Sequence, residues 1–161
     1  MPLLEPAILH KEYITRRMQE KFYTDDMLYE SGGIDNWTPR IADCPDGNIW
    51  QYAVVEDDEV IGYIEFEIDW YVSCAYNFRI ISFDKGSVSF DIAFDKIMNT
   101  FIDDLHLIHR IEWKMVGGDP AERSYDILCK KYHGTKHVLR DAIRDKYRKY
   151  HDSIIYEIIL N

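Results

Sequence analysis

The sequence predicts one domain of mixed α/β class, in which a mostly antiparallel sheet is flanked by helices. Three observations indicate this. Residues 49–83 contain alternating apolar and polar positions, as β-strands do. Over 88–105 the apolar spacing changes to that of an amphipathic helix. A strand-like run at 110–116 follows, and this strand–helix–strand order indicates a crossover that makes two strands locally parallel.

The N-terminal part predicts a helix followed by a loop. Residues 11–30 carry apolar side chains at four-residue spacing, with charged residues on the other faces. Gly32 and Gly33 interrupt this spacing. Prolines, Asp and Asn are frequent over 34–47, so we predict an ordered loop there.

Three strands are predicted next, at 49–55, 60–70 and about 75–83. Short turns join them, which favours an antiparallel meander. Because side chains alternate between the two faces of a strand, the second strand has an apolar face that includes Trp70 and an acidic face.

The acidic face carries Glu65, Glu67 and Asp69. Alternating acids of this kind usually mark the solvated face of a half-exposed sheet. The functional alternative is a general base, or a surface that attracts a cationic amine.

The last helix is marked by its capping residues. Asp119 suits the N-cap and Pro120 the first helical position, while Glu122 can complete a capping box. Tyr125 lies in the apolar stripe, and Gly134 ends the helix. Strands at about 136–143 and 153–160, joined by a polar turn, then predict a C-terminal hairpin.

The charge distribution is uneven. The net charge of −10 argues against a general role in binding nucleic acids or anionic membranes, because phosphate binding needs a basic surface. Residues 1–120 contribute −13 and residues 121–150 contribute +5. The basic segment could face an anionic ligand or be a solvated surface.

Metal, disulfide and membrane functions are not indicated. The cysteines, Cys44, Cys74 and Cys129, are odd in number and form no CxxC pair. The six histidines lack metal-binding spacing, so we expect no metal. The N-terminus acquires charge too early for a secretory signal, and no run approaches the roughly 20 apolar residues of a membrane span. We therefore expect a cytoplasmic protein.

Three motifs stand together near the end of the chain. Residues 119–125 read DPAERSY, residues 138–142 read VLRDA, and residues 149–156 read KYHDSIIY. The first resembles the start of the fourth helix in the GNAT N-acetyltransferases, where a Tyr follows an Ala by four residues. The other two resemble the ending of the GNAT branch that includes ribosomal-protein and small-molecule acetyltransferases. The order of elements over 11–160 is also similar.

The resemblance implies a single GNAT domain over 1–161 whose fourth and fifth strands splay apart around acetyl-CoA. The cofactor would lie between residues 77–83 and 110–116. Backbone groups near Ser82 and Phe83 would pair with the pantetheine and polarise the acetyl carbonyl. Tyr125 would donate a proton to the departing thiolate.

The resemblance also implies a pyrophosphate site at the N-terminus of the helix near Ser87, where free N–H groups favour an anion. Here the sequence departs from the family, whose loop reads Arg/Gln-x-x-Gly-x-Gly/Ala. This chain has Phe83-Asp84-Lys85-Gly86-Ser87-Val88, which keeps one glycine, and it has Asp119 at the position of the family's Asn. The residues implied to bind the cofactor are Ser82, Phe83, Lys85, Gly86, Ser87, Val88, Asp119, Arg123 and Lys130.

The leading hypothesis is an enzyme that transfers an acetyl group from acetyl-CoA to a primary amine by direct attack. Glu65 and Glu112 are the candidate general bases, beside ordered water. The acceptor is a small molecule or peptide, and the acidic first 120 residues suggest a cationic one. The protein would be a monomer or homodimer. The alternatives are a GNAT-fold binding or regulatory module that no longer binds acetyl-CoA, and an unrelated mixed α/β domain.

Overall fold

Within the part of the chain that the structure describes, seven strands form one continuous sheet, with helices packed against it. The computed structural model describes residues 1–25, 27–31, 39–44, 46–83, 88–104 and 107–160. The strands are β1 (Leu3–Pro6), β2 (Ile49–Glu56), β3 (Glu59–Asp69), β4 (Cys74–Ser82), β5 (Arg110–Val116), β6 (Thr135–Arg144) and β7 (Tyr150–Ile159). The helices are α1 (Lys11–Lys21), α2 (Met27–Glu30), α3 (Val88–Asn99) and α4 (Glu122–Lys131), with a 3₁₀ turn at Ala7–His10 and a π-helical turn at Thr100–Asp104.

The strand order is β1-β2-β3-β4-β5-β7-β6. Neighbouring strands are antiparallel except β4 and β5, which run parallel. The predicted mixed, mostly antiparallel sheet is therefore confirmed, as are the meander, the crossover and the C-terminal hairpin.

Alternation along β3 separates two cores. Ile64, Phe66 and Ile68 belong to a cluster formed with α3 and α4. Tyr63 belongs to a second cluster that includes Ile14 and Met18 of α1. Glu65 and Glu67 are half-buried between these apolar positions, as the alternation predicts.

The prediction that Trp70 continues the apolar face of β3 was wrong. β3 ends at Asp69, and Trp70 is 44% exposed in the turn that follows. Its indole N–H donates to the Gly47 carbonyl at 3.0 Å.

The N-terminal region differs from the single helix predicted over 11–30. α1 ends at Lys21, and the short helix α2 begins only at Met27. The Thr24 hydroxyl donates to the Lys21 carbonyl at 2.7 Å, and a side chain that bonds the backbone in this way competes with helix formation. The strand β1 was not predicted. It is four residues long and ends at Pro6, too short to show alternation.

α4 begins at Glu122, two residues after the predicted first position at Pro120. The Asp119 carboxylate accepts the Ala121 N–H at 2.8 Å, and the Asp119 carbonyl accepts the Glu122 N–H at 3.0 Å. Residues 119–121 are thus a turn that leads into the helix. Of the predicted loop at 34–47, residues 34–38 and 45 lie outside the described residues, as does Leu105 at the predicted end of α3.

Candidate functional site

The parallel strands β4 and β5 pair at only two positions. Cys74 lies opposite Arg110 and Ala75 opposite Ile111, and beyond these pairs the strands separate. The separation coincides with an irregularity in β4. Tyr76 and Arg79 pair with residues of β3 that are only two apart, so β4 has an extra residue there.

Asn77 forms the irregular part of β4. Its φ angle is 53°, which lies in the left-handed region that Asn tolerates better than most residues. A bulge increases local twist and bends the strand. The bend therefore lies at the point where β4 leaves β5.

A cavity of about 290 Å³ occupies the gap between the two strands. Tyr125 and Asp119 line it on the side of α4, and Tyr29 and Glu30 of α2 line it as well. Because α2 and α4 pack on opposite faces of the sheet and both contribute to its wall, the cavity passes through the sheet. The strand residues in the wall are Asn77, Phe78, Arg79 and Ile80 of β4, Glu112, Trp113, Lys114 and Met115 of β5, Ile143 of β6 and Ser153 of β7.

Tyr125 is held in an aromatic cluster at this cavity. Its ring centroid lies 5.8 Å from that of Phe94, 6.2 Å from that of Trp113 and 6.1 Å from that of Tyr156. Only 9% of the residue is exposed. Such packing leaves the ring little freedom and fixes the direction of its hydroxyl.

Trp113 is one of the cavity-wall residues and is almost fully buried. Its Nε1 is buried and has no hydrogen-bond partner in the part of the chain that the structure describes. The ring stacks on Tyr156 with centroids 5.0 Å apart. An unpaired buried donor of this kind costs about 1–3 kcal/mol.

The two carboxylates predicted as general bases are in different places. Glu112 lines the cavity, and its carboxylate lies 2.6 Å from Nη1 of Arg110. Glu65 does not line it. Its carboxylate accepts the Tyr63 hydroxyl at 2.6 Å and the Gln51 amide at 2.9 Å. Both contacts hold Glu65 on the α1 side of the sheet.

A buried ion pair that sequence reasoning missed lies next to the cavity. Lys21 of α1 pairs with Glu30 of α2, and the two side chains are 14% and 15% exposed. Lys21 also donates to the Ser82 carbonyl at 2.7 Å. Glu30 lines the cavity and so adds a third carboxylate near it. The sequence around Glu30 does not indicate a role at the site, because a Glu at the end of a predicted helix is common.

The backbone at the end of β4 already has partners within the chain. The Phe83 N–H donates to the Ile61 carbonyl at 2.8 Å, and the Phe83 carbonyl accepts from Arg17 at 3.0 Å. Because the Phe83 N–H points toward β3, strand alternation turns the N–H and C=O groups of Ile80 and Ser82 toward the open side.

A second, larger space adjoins the first. A groove of about 560 Å³ lies between the segment around α2 and the turn that joins β6 to β7. Tyr29 lines both the groove and the cavity. The groove is lined by Phe22, Thr24, Asp25, Met27, Leu28, Tyr29, Ser31, Asp145, Lys146, Tyr147, Lys149 and His151.

Solved structures share this architecture over the whole chain. RimL, a ribosomal L7/L12 alpha-N-protein acetyltransferase in complex with coenzyme A, is 14% identical with a TM-score of 0.71, covering 99% of this chain and 94% of its own. The spermidine N-acetyltransferase from Vibrio cholerae, in complex with CoA and spermine, is 14% identical with a TM-score of 0.67. The match covers 98% of this chain and 95% of that protein. The chain has the GNAT fold.

Other solved structures match a smaller share of the chain. A probable acetyltransferase is 18% identical with a TM-score of 0.54, and the match covers 71% of this chain and 63% of that protein, less than two thirds of its length. No family model and no curated protein matches the sequence.

The remaining residues implied by the GNAT resemblance are dispersed. Asp119 is half-buried at the cavity, and this burial raises its carboxyl pKa. Arg123 and Lys130 are exposed on α4, outside the cavity lining. Val88 is the first residue of α3, whereas Lys85, Gly86 and Ser87 lie outside the described residues.

Part of the basic segment is neutralised by acids. Lys136 lies 2.9 Å from Glu122 and 2.8 Å from Asp126, and Lys131 lies 3.4 Å from Asp95. Glu122 and Asp126 are already counted in the charge of +5 over 121–150, whereas Asp95 lies outside the segment and lowers the positive charge that it offers to a ligand.

Neither a metal cluster nor a membrane-spanning helix is found in the described ranges. No group of three His, Cys, Asp or Glu side chains there converges as metal ligands. None of the described helices is both long enough and apolar enough to cross a membrane.

The bulge at Asn77 predicts a distinct response to two substitutions. Asn77→Val places a β-branched residue at positive φ, at a cost of about 1–2 kcal/mol, and should lower the Tm by roughly 2–8 °C. Asn77→Gly has no such cost and is the matched control. Thermal unfolding of the three proteins measures this. Equal Tm values for the Val and Gly variants would show that the positive φ is not maintained.

Proposed function

We propose that this protein is an acyl-CoA-dependent N-acetyltransferase that moves an acetyl group from acetyl-CoA to a primary amine by direct attack. The observation that carries the proposal is the separation of β4 from β5 after two paired residues, which leaves a cavity through the sheet. The GNAT fold of the chain, shared with acetyltransferases whose structures contain CoA, supports it.

The open strand edges suit the pantetheine arm of acetyl-CoA. The arm is an extended chain with amide groups, and unpaired strand edges bind extended amides through backbone hydrogen bonds. The backbone of Ile80 faces the open side, as does that of Ser82, whose carbonyl Lys21 already bonds. Acetyl-CoA would supply an acyl group activated as a thioester.

Tyr125 is the proposed acid. When the thioester bond breaks, the departing thiolate needs a proton, and a buried hydroxyl in a fixed position can donate one. The aromatic cluster of Phe94, Trp113 and Tyr156 holds the Tyr125 ring at the cavity. Close packing also excludes water, which favours transfer to an amine over hydrolysis.

Glu112 is the proposed base. The attacking amine must lose a proton, and of the two carboxylates predicted from the sequence only Glu112 lines the cavity. Arg110 fixes its orientation through a 2.6 Å contact. Glu30, on the α2 side of the cavity, is a further acceptor that could relay the proton through water.

The groove beside α2 is the proposed entrance for the amine. Tyr29 lines both the groove and the cavity, so an amine in the groove would lie beside the gap between the strands. Holding both reactants in this geometry would supply much of the acceleration. The N-terminus of α3, with Lys85, Gly86, Ser87, Arg123 and Lys130, remains the predicted pyrophosphate site.

A GNAT-fold module without acetyl-CoA binding is the second candidate. It is favoured by one observation: the carbonyls of Ser82 and Phe83 already accept hydrogen bonds from Lys21 and Arg17. Asp84 places a negative charge in the predicted phosphate loop, which favours the same candidate.

Calorimetric titration with acetyl-CoA distinguishes the two candidates. The enzyme proposal expects saturable binding, whereas no binding at millimolar ligand would favour the silent module.

Tyr125→Phe should bind acetyl-CoA as the wild type does and lower kcat by about 10²-fold, because the proton donor is lost. Tyr132→Phe is the matched control, since its hydroxyl donates to Asn99 at the far end of α4. Equal kcat for the wild type and the Tyr125 variant would remove Tyr125 as the acid.

The two candidate bases give a second test. Glu112→Gln should lower kcat by about 10²-fold with acetyl-CoA affinity unchanged, because the amide cannot accept the proton. Glu65→Gln should stay much closer to the wild type, because its carboxylate bonds Tyr63 and Gln51 away from the cavity. Steady-state CoA release measures both variants. A larger loss for the Glu65 variant would reverse the assignment.

A further inference from the structure

The proposed base Glu112 lies directly opposite a second glutamate. In the antiparallel pair of β5 and β7, Glu112 is in register with Glu157, so the two side chains share one face of the sheet. The next pair in register, Trp113 and Tyr156, belongs to the core formed with α3 and α4. Because side chains alternate along a strand, the two glutamates lie on the opposite face of the sheet.

Arg110 joins these two carboxylates. Like charges directly opposite each other on neighbouring strands are destabilising, so the pair needs a cation between its members. Nη1 of Arg110 lies 2.6 Å from Oε2 of Glu112. Nη2 donates to Oε2 of Glu157 at 2.8 Å, and Nε donates to the same oxygen at 3.3 Å. One guanidinium therefore serves both glutamates.

Glu157 fixes the orientation of that guanidinium. Two N–H groups of Arg110 converge on one Glu157 oxygen, and because the guanidinium is planar and rigid, they set the direction in which Nη1 points. The other Glu157 oxygen contacts Nε2 of His137 in β6 at 3.2 Å. The hydrogen bond from Arg110 is the main cause of the lowered pKa of Glu157, and the contact with His137 lowers it further. Glu157 is thus held in place on both sides.

Glu112 is bonded in a different way. It lines the cavity, whereas Glu157 is not among the residues of the cavity wall. Arg110 makes its closest contact with Oε2 of Glu112, and Oε1 accepts no hydrogen bond from the part of the chain that the structure describes. A general base must offer an oxygen to the proton that it removes. The arrangement therefore holds one oxygen of Glu112 and leaves the other to an amine.

We infer that Glu157 is a positioning residue for Glu112 and that it acts through Arg110. The inference rests on the proposed acetyltransferase function and deepens it, because it specifies how the base is held at the cavity wall. Without the Glu157 carboxylate, Arg110 loses the hydrogen bonds that set its orientation, and the Glu112 carboxylate moves with it. Displacement of a base by about 1 Å is enough to lower the rate of a reaction substantially.

Glu157→Ala tests the inference through a split between two measured quantities. The variant should lower kcat about tenfold, because a displaced base removes the proton less effectively, and it should leave the affinity for acetyl-CoA unchanged. Steady-state CoA release and calorimetric titration measure the two. Asp95→Ala is the control, because it breaks an ion pair with Lys131 away from the cavity and should keep the wild-type kcat. A wild-type kcat for Glu157→Ala would overturn the inference.

Glu157→Gln separates positioning from folding. The amide keeps the shape of the side chain and one oxygen acceptor, so this variant should keep the wild-type Tm. Its kcat should lie between those of the wild type and Glu157→Ala, because hydrogen bonds from Arg110 to a neutral acceptor are weaker than those to a carboxylate. A kcat below that of Glu157→Ala would contradict the inference.

A double-mutant cycle with Glu112→Gln distinguishes a positioning role from a purely structural one. When residue 112 can no longer accept a proton, its orientation ceases to matter. Adding Glu157→Ala to Glu112→Gln should then lower kcat by less than about twofold. A further loss close to tenfold would mean that Glu157 acts independently of Glu112, and the inference would fail.

The same cycle separates the failure of this inference from that of the proposed function. A wild-type kcat in Glu112→Gln would remove Glu112 as the base, and the positioning role of Glu157 with it. A strong loss in Glu112→Gln beside a wild-type kcat in Glu157→Ala would overturn the positioning role alone.

Discussion

The structure depends on the short pairing between β4 and β5. Two residue pairs join the strands, and the positive φ of Asn77 then bends β4 away. Unpaired backbone inside a sheet is costly unless it finds other partners. The gap is therefore maintained by the surrounding packing, and it provides backbone groups that a ligand with amides can satisfy. The cavity, its aromatic wall and the proposed entrance all follow from this separation.

Packing and ion pairing hold the elements on both sides of the gap in place. On one side Tyr125 is set among Phe94, Trp113 and Tyr156, so α4 is fixed against β5. On the other side the buried Lys21–Glu30 pair joins α1 to α2 and bonds the end of β4 through the Ser82 carbonyl. Removing one partner would leave the other charge mostly buried and without its counter-ion, which makes this link a structural constraint on the cavity wall.

Local pattern was sufficient to predict much of this architecture. Three of the patterns used depend only on residues that are close in sequence. They are the alternation in β2 to β4, the change of period at α3, and the four-residue spacing of Ala121 and Tyr125. The bulge is different, because an Asn in a strand looks like any exposed polar position until its φ is known. Likewise, Asp25 and Tyr147 are 122 residues apart, and nothing local to either one indicates their contact.

The central claim is that acetyl-CoA lies between the separated strands. Amide hydrogen exchange measured with and without acetyl-CoA tests it directly, because backbone groups that bond a ligand exchange more slowly. The account predicts slower exchange over residues 77–82 of β4 when acetyl-CoA is bound, with no comparable change in the hairpin strand β6. Binding that leaves exchange in β4 unchanged would contradict it.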